Sequence, residues 1–251
     1  MSGFKNESNN IVFEQNLFSL IILHISRCCE KMRDDCKATG ENLCNHEDKI
    51  SNRLVERYLN ADIKGLRFIL QKPEHFDTCT DTYKGRTDIT VVSSDWLYTN
   101  SEAYYIIESK RLDGKSSMNK KYISEGISRF VMPLLPKYSS YYGKNIMLGY
   151  IVQAINVSEN TQEIDKLQRK LLTDVTIGEM KCVNNDNKGF MQYKCLYQAG
   201  NQLEIELAHL FYDFSDVMQP HTRFIGRLSQ ESFDEISLAL LDTQGVDANE
   251  W

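Results

Sequence analysis

Proline is scarce in this chain, 4 in 251 residues, and no repeat or low-complexity tract takes its place. That excludes collagen-like and disordered polymers. Long apolar runs are also missing. The most hydrophobic early stretch, residues 17–25, carries Ser19 and His24 and falls well short of the roughly 20 residues a spanning helix needs. It has neither the basic start nor the cleavage site of a secretory signal. No membrane attachment is therefore expected, and a cytoplasmic setting with reduced thiols is. The 7 cysteines agree with this, being odd in number and without a Cys-x-x-Cys pair, which is not a disulfide scaffold. Cys28, Cys29, Cys36 and Cys44 cluster near His46, but their intervals fit no common zinc pattern. Excess positive charge is the last absence. A formal net charge of −6 excludes a protein that holds nucleic acid by overall basicity. Any such contact must come from a local stripe.

What is present is an ordinary globular composition, 41% apolar and 25% charged, in a chain long enough for one elaborated α/β domain. Residues 11–36 recur apolar at helical intervals through Ile11, Leu17, Phe18, Ile21, Ile22 and Ile25. This helix is expected to be buried or to meet a partner, a second copy included. After a polar loop, Glu47, Ile50, Leu54 and Tyr58 fall on one helical face, spaced three, four and four. Glu47 is thus a carboxylate in line with an apolar face, or a first-turn acid favoured by the helix dipole. Leu66 to Leu70 suggests a short strand, and the polar run after Pro73, with His75, suggests a loop.

Residues 85–110 form the centre of the pattern. GRTDITVV and AYYIIESK read as two strands rich in β-branched and aromatic residues, separated by a polar break. Side chains alternate along a strand, so Glu108 and Lys110 share a face while Ser109 points away, and pairing of the two strands brings Asp88 beside Glu108. Two carboxylates and an ammonium are expensive to desolvate without compensation. A hard divalent cation with oxygen ligands supplies it, with the lysine positioning or deprotonating a nearby water.

Asp88 followed by Glu108-Ser109-Lys110 twenty positions later resembles the D…ExK signature of the PD-(D/E)XK nuclease superfamily, with Thr87-Asp88 in place of the usual Pro-Asp. The resemblance implies a restriction-endonuclease-like α/β core, a central mixed sheet flanked by helices, over residues 46–175. An N-terminal helical extension (1–45) and a C-terminal hairpin and helix extension (176–251) complete a single domain. It implies a metal-dependent nuclease in which Asp88, Glu108 and the Ser109 carbonyl hold Mg²⁺, with Mn²⁺ as a substitute. Glu47 matches the acid that such enzymes carry on the preceding helix, supporting a second ion or a metal-bound water. Lys110 positions the attacking hydroxide. DNA is favoured over RNA, and a bacterial or phage defence role, or a place as the nuclease subunit of a larger complex, is implied. The alternatives are a non-catalytic protein-interaction subunit keeping the fold, and an RNA nuclease.

Downstream, residues 118–132 read as a helix on which Tyr122, Glu125 and Arg129 share a face. Tyr122 and Arg129 are candidate substrate-binding residues, Arg129 through forked phosphate contact. A Glu125–Arg129 surface pair is the other reading. Lys110, Arg111, Lys115, Lys120 and Lys121 make the one basic stripe, with Lys115 and Lys121 candidate phosphate contacts or merely solvated. The aromatic loop 138–142 suits stacking on bases or packing. Residues 146–155 read as a strand buried on both faces, 159–173 as an amphipathic helix, 190–198 and 203–214 as paired strands with His209 in the second, and 229–241 as a closing helix.

Overall fold

The computed structural model describes residues 7–93, 104–132, 138, 143–186, 188–200 and 204–219, with side chains from residue 16 onward except those of His75 and Lys84. Chain contacts separate Met1–Gln219 from Pro220–Trp251. The polar break at 94–103, most of the 138–142 loop and the expected helix at 229–241 lie outside the described residues.

Helix α1 (Glu7–Thr39) is longer than its apolar pattern suggested. Phe18, Ile21, Ile25, Cys29, Met32 and Cys36 are buried along it at spacings of three and four, so one stripe faces the core. Leu20 and Leu23 stay exposed on other faces. Helix α2 (Glu47–Leu54) opens with Glu47 and Asp48 in its first turn and passes into a π-helical turn, Val55–Leu59. Ile50, Leu54 and Tyr58 are buried, as one helical face requires. All seven cysteines are free, and burial pushes the Cys28 and Cys29 thiols up, away from reactive thiolate.

The strands are β1 (Leu66–Leu70), β2 (Pro73–Asp77), β3 (Thr82–Arg86), β4 (Ile89–Ser93) and β5 (Tyr105–Leu112). Then come helix α3 (Ser116–Tyr122, continued by a π turn Ile123–Ile127 and Ser128–Val131), β6 (Lys144–Ile151) and helix α4 (Val157–Leu171). Four strands follow: β7 (Val175–Ile177), β8 (Lys181–Asn185), β9 (Phe190–Ala199) and β10 (Ile205–Asp213). The main sheet runs β1-β4-β5-β6-β10-β9-β7, with β8 also on β9, while β2 and β3 form a separate two-stranded sheet. The β4–β5 and β1–β4 pairs are antiparallel. The β5–β6 and β6–β10 pairs are parallel, the former crossed by α3 as parallel pairing demands.

Alternation along β5 divides the core in two. Tyr105 and Ile107 join Phe18, Ile21, Leu54 and Tyr150 on the α1 and α2 side. Tyr104, Ile106 and Leu112 join Ile123, Phe130, Met147 and Phe211 on the α3 and α4 side. The mixed α/β architecture is therefore present, and among the described residues no helix is long and apolar enough to cross a membrane.

Several expectations are corrected. The polar run after Pro73 is a hairpin, with Phe76 opposite Tyr83 and Pro73 opposite Arg86. Strand β6 stops at Ile151, with the Val152 and Phe214 amides making the last bonds of the sheet end to the Leu112 and Ile151 carbonyls. Strands β7 and β8 had no clear apolar pattern, and β8 is exposed along its whole length. The pair at β9 and β10 turns through Gly200, whose φ of +56 only glycine adopts cheaply.

Candidate active site

The site is made where two strands part. Ile89 pairs with Ile107, so the next step along the ladder sets Asp88 opposite Glu108, on the same face. There the chain before β4 swings away: the Thr87 amide bonds the Lys72 carbonyl and the Gln71 amide bonds the Asp88 carbonyl, at 3.0 and 2.9 Å. Beyond Glu108, β5 has no strand on that side, and its outward amides need other acceptors. Two carboxylates supply them. The Ser109 N–H donates to Asp88 Oδ2 at 2.8 Å, and the Arg111 N–H donates to Glu47 Oε2 at 3.2 Å.

Lys110 lies in this notch. Its Nζ is 2.9 Å from Glu47 Oε1, 2.7 Å from Glu108 Oε1, 2.8 Å from the Ser109 carbonyl and 3.8 Å from Asp88 Oδ2. Glu108 is fully buried and Lys110 nearly so. On its other side, Glu108 accepts from Arg129 Nη1 at 3.1 Å and lies 2.6 Å from the Tyr138 hydroxyl. That hydroxyl is also 2.8 Å from the Arg86 carbonyl and contacts Arg129 Nη1 directly. A phenol has one proton, so it serves Glu108 or Arg86 at any moment.

The electrostatics follow from burial. Glu108 is pushed up to about 7, first by desolvation and then by the Asp88 charge, with Lys110 and Arg129 pulling the other way. Asp88 is raised as well, again chiefly by burial. Burial alone would depress Lys110, but Glu108, Asp88 and Glu47 together hold its ammonium above the ordinary lysine value. Lys110 is therefore held as a cation among these carboxylates. With Glu108 ionised, three carboxylates face the two cations Lys110 and Arg129.

The donor set suits a hard cation. Two carboxylates and a backbone carbonyl are oxygen ligands of the kind Mg²⁺ takes when water and substrate phosphate complete its shell. Among the described residues no three His, Cys, Asp or Glu side chains close into a cage by themselves, and the Lys110 ammonium lies among the carboxylates. A cavity of about 280 Å³ adjoins the cluster, lined by Asp48, Gln71, Arg86, Asp88, Arg129 and Tyr138 among others.

Glu47, Asp88, Glu108, Ser109, Lys110 and Arg129 are thus brought together. Three expected substrate contacts are not. Tyr122 is fully buried, its hydroxyl 3.0 Å from His209 Nδ1. His209, held neutral by burial and lowered to about 3, meets the Tyr197 hydroxyl at 3.2 Å through Nε2. Tyr197 donates onward to Gln168, so the Nε2–H donates to Tyr197 and Tyr122 donates to Nδ1. That corrects Tyr122 to a core residue. Lys115 is exposed and pairs with Asp113 at 3.1 Å, and Lys121 is exposed on α3. The shared face of Tyr122, Glu125 and Arg129 fails because the π turn at Ile123–Ile127 fits an extra residue into one turn. Glu125 is left exposed and Arg129 is turned inward. Arg111 is spent on Asn45, whose carbonyl and side-chain oxygen accept from Nη1 at 2.6 and 2.7 Å.

Tyr138 and Arg86 were not expected. Tyr138 belonged to an aromatic loop with no pattern to single it out, and Arg86 acts partly through a backbone carbonyl that no sequence signal marks. Comparison with protein-family models, with curated proteins and with solved structures gives no match.

Proposed function

We propose that this chain is a metal-dependent nuclease of the PD-(D/E)XK type, hydrolysing phosphodiester bonds, with DNA favoured over RNA. The observation that carries the reading is the meeting of Asp88, Glu108 and Lys110 where β4 and β5 diverge. The order α2, β1, β4, β5, α3, β6, with the hairpin β2–β3 inserted, supports it too, since it follows the αβββαβ order of that superfamily's core.

In this mechanism Asp88, Glu108 and the Ser109 carbonyl would hold Mg²⁺ or Mn²⁺. When bound, the ion supplies Lewis-acid polarisation of the phosphate and lowers the pKa of a coordinated water. Lys110 donates hydrogen bonds that hold the attacking oxygen in line and stabilise charge developing on the phosphoryl oxygens. Glu47 binds both Lys110 and the β5 backbone and is a positioning residue. Arg129 and Tyr138 fix the rotamer of Glu108, and both line the cavity. The setting proposed is defence against foreign DNA, alone or as one subunit of a larger complex.

One observation favours a second reading. Lys110 and Glu108 satisfy each other so fully, with Arg129 and Tyr138 closing the far side, that the network would also serve as a structural core of a non-catalytic interaction subunit. Supercoiled plasmid, linear DNA, single-stranded DNA and RNA incubated with Mg²⁺, Mn²⁺ or EDTA separate the two. The nuclease reading expects metal-dependent cutting that falls by about 100-fold or more in Glu108→Gln. Cutting by Glu108→Gln at the wild-type rate sinks it.

A further inference from the structure

The β2–β3 hairpin leads covalently into the site through Arg86, Thr87 and Asp88, and it stands off the main sheet. Its base is anchored: Glu74 is buried and bonded by the Tyr104 hydroxyl, while the Lys72 ammonium lies 3.4 Å from the Tyr104 ring centroid. Its outer part carries Phe76 and Tyr83, directly paired, 51% and 57% exposed, with ring centroids 5.1 Å apart. A cross-strand aromatic pair steadies a hairpin without any ligand, so the placement has to carry the case.

Tyr83 and Gly85 lie on the same face, two residues apart, a step of about 6–7 Å along a strand. Gly85 and Arg86 already line the cavity beside Asp88. The aromatic face therefore runs toward the cavity across a residue with no side chain, and the exposed cation of Arg86 follows on the opposite face. A step of that length matches the spacing of bases in an extended strand. The acidic residues Asp77 and Asp81 lie at the far turn, which directs a phosphate backbone toward the Arg86 end.

Resting on the nuclease reading above, we propose that Phe76 and Tyr83 form a stacking platform for unpaired nucleobases, so that the substrate is a single strand or a single-stranded flap delivered along the hairpin to Asp88. Bases in a duplex are stacked on one another and offer no free faces, whereas an unpaired base gains substantially from an aromatic ring whatever its sequence. With a net charge of −6 and Arg86 as the exposed cation among the described side chains of β3, stacking supplies more of the affinity than counterion release. The salt dependence should be shallow, a log–log slope of about −1 to −2.

Fluorescence anisotropy with labelled oligo-dU, oligo-U and a blunt duplex, in EDTA, reads binding apart from cutting. The variants are Phe76→Leu with Tyr83→Leu, which keeps apolar bulk without π faces, and Phe76→Trp with Tyr83→Trp, which keeps the faces. Wild type should prefer the single strands to the duplex. The leucine pair should lose about tenfold or more with only a small drop in melting temperature from the lost ring pair, and the tryptophan pair should retain binding. The two oligonucleotides distinguish deoxyribose from ribose. Unchanged binding by the leucine pair overturns the proposal. So does a wild type that binds no single strand, including one that self-associates through these rings on sedimentation. Metal-dependent plasmid cutting by the same preparations stands or falls separately, so loss of the platform is not confused with loss of the nuclease.

Discussion

At Lys110, substitution tests chemistry and stability at once. Truncating it leaves Glu108 buried beside Asp88 and Glu47 with no ammonium between them. Removing one partner of a buried pair costs about 3–5 kcal/mol, so Lys110→Ala is expected to melt well below wild type in EDTA as well as to lose cleavage. Added Mg²⁺ or Mn²⁺ should return more of the lost melting temperature to this variant than it adds to wild type. Equal shifts, or none in either protein, would count against an ion held by these carboxylates. Tyr138→Phe is a gentler probe. It deletes one hydroxyl shared by Glu108, Arg86 and Arg129, for about 1–3 kcal/mol in unfolding by urea.

Glu108 also sets a pH dependence. Its folded pKa of about 7 lies above the ordinary glutamate value of about 4.3, so the folded chain holds the proton more tightly than the unfolded one. The stability this group contributes is full below about pH 4 and is lost as pH rises through about 7. Asp88 shifts in the same direction. Metal-free unfolding midpoints should therefore fall between about pH 5 and 8, and Glu108→Gln should flatten that slope. A midpoint that climbs over this interval would mean that the cations beside Glu108 outweigh its burial.

Among the elements, α3 is where close approach matters most. Gly126, in the π turn, sits over the site: a Cβ there would come 2.5 Å from the Met147 methyl and 3.5 Å from Lys110 Cγ. The methionine end is flexible and gives way, so Gly126→Ala should cost about 1–3 kcal/mol of overpacking, read by denaturant melts. A larger kinetic effect than this cost explains would place the π turn in the alignment of Lys110.

How far the elements were legible follows from their chemistry. Strand β5 could be read because Tyr105 to Ile107 are apolar on both faces, and strand alternation alone puts Glu108 and Lys110 on one face. Helix α2 could be read because Ile50, Leu54 and Tyr58 share its buried side. The π turn has no compositional mark, so the helical wheel that grouped Tyr122 with Arg129 was wrong by one inserted residue. The β2–β3 hairpin was missed because its buried residue, Glu74, is polar while Phe76 and Tyr83, on the same face, stay exposed, the reverse of an amphipathic strand.

Across the whole of Met1–Gln219, the site lies between two cores that share one sheet. The sequence around α1 is tied to the far end of the fold. Arg33 donates to both Asp216 oxygens at 2.9 and 2.8 Å, and the Leu43 amide bonds the Val217 carbonyl at 2.7 Å. These contacts cross most of the chain, and no local pattern announced them. The Arg33 contact is bidentate and Lys37 pairs with the same carboxylate, so Asp216→Asn is expected to cost about 1–3 kcal/mol in urea melts.

The parting of β4 and β5 has a practical consequence for watching the site fill. The Ser109 and Arg111 amides are shielded from solvent by carboxylate oxygens instead of a neighbouring strand. Their hydrogen–deuterium exchange should accelerate when those oxygens are drawn elsewhere, while the Ile107 amide, inside the ladder, keeps its rate. Two backbone positions would thus act as a clock for ion arrival, readable in a protein that has not yet been shown its substrate.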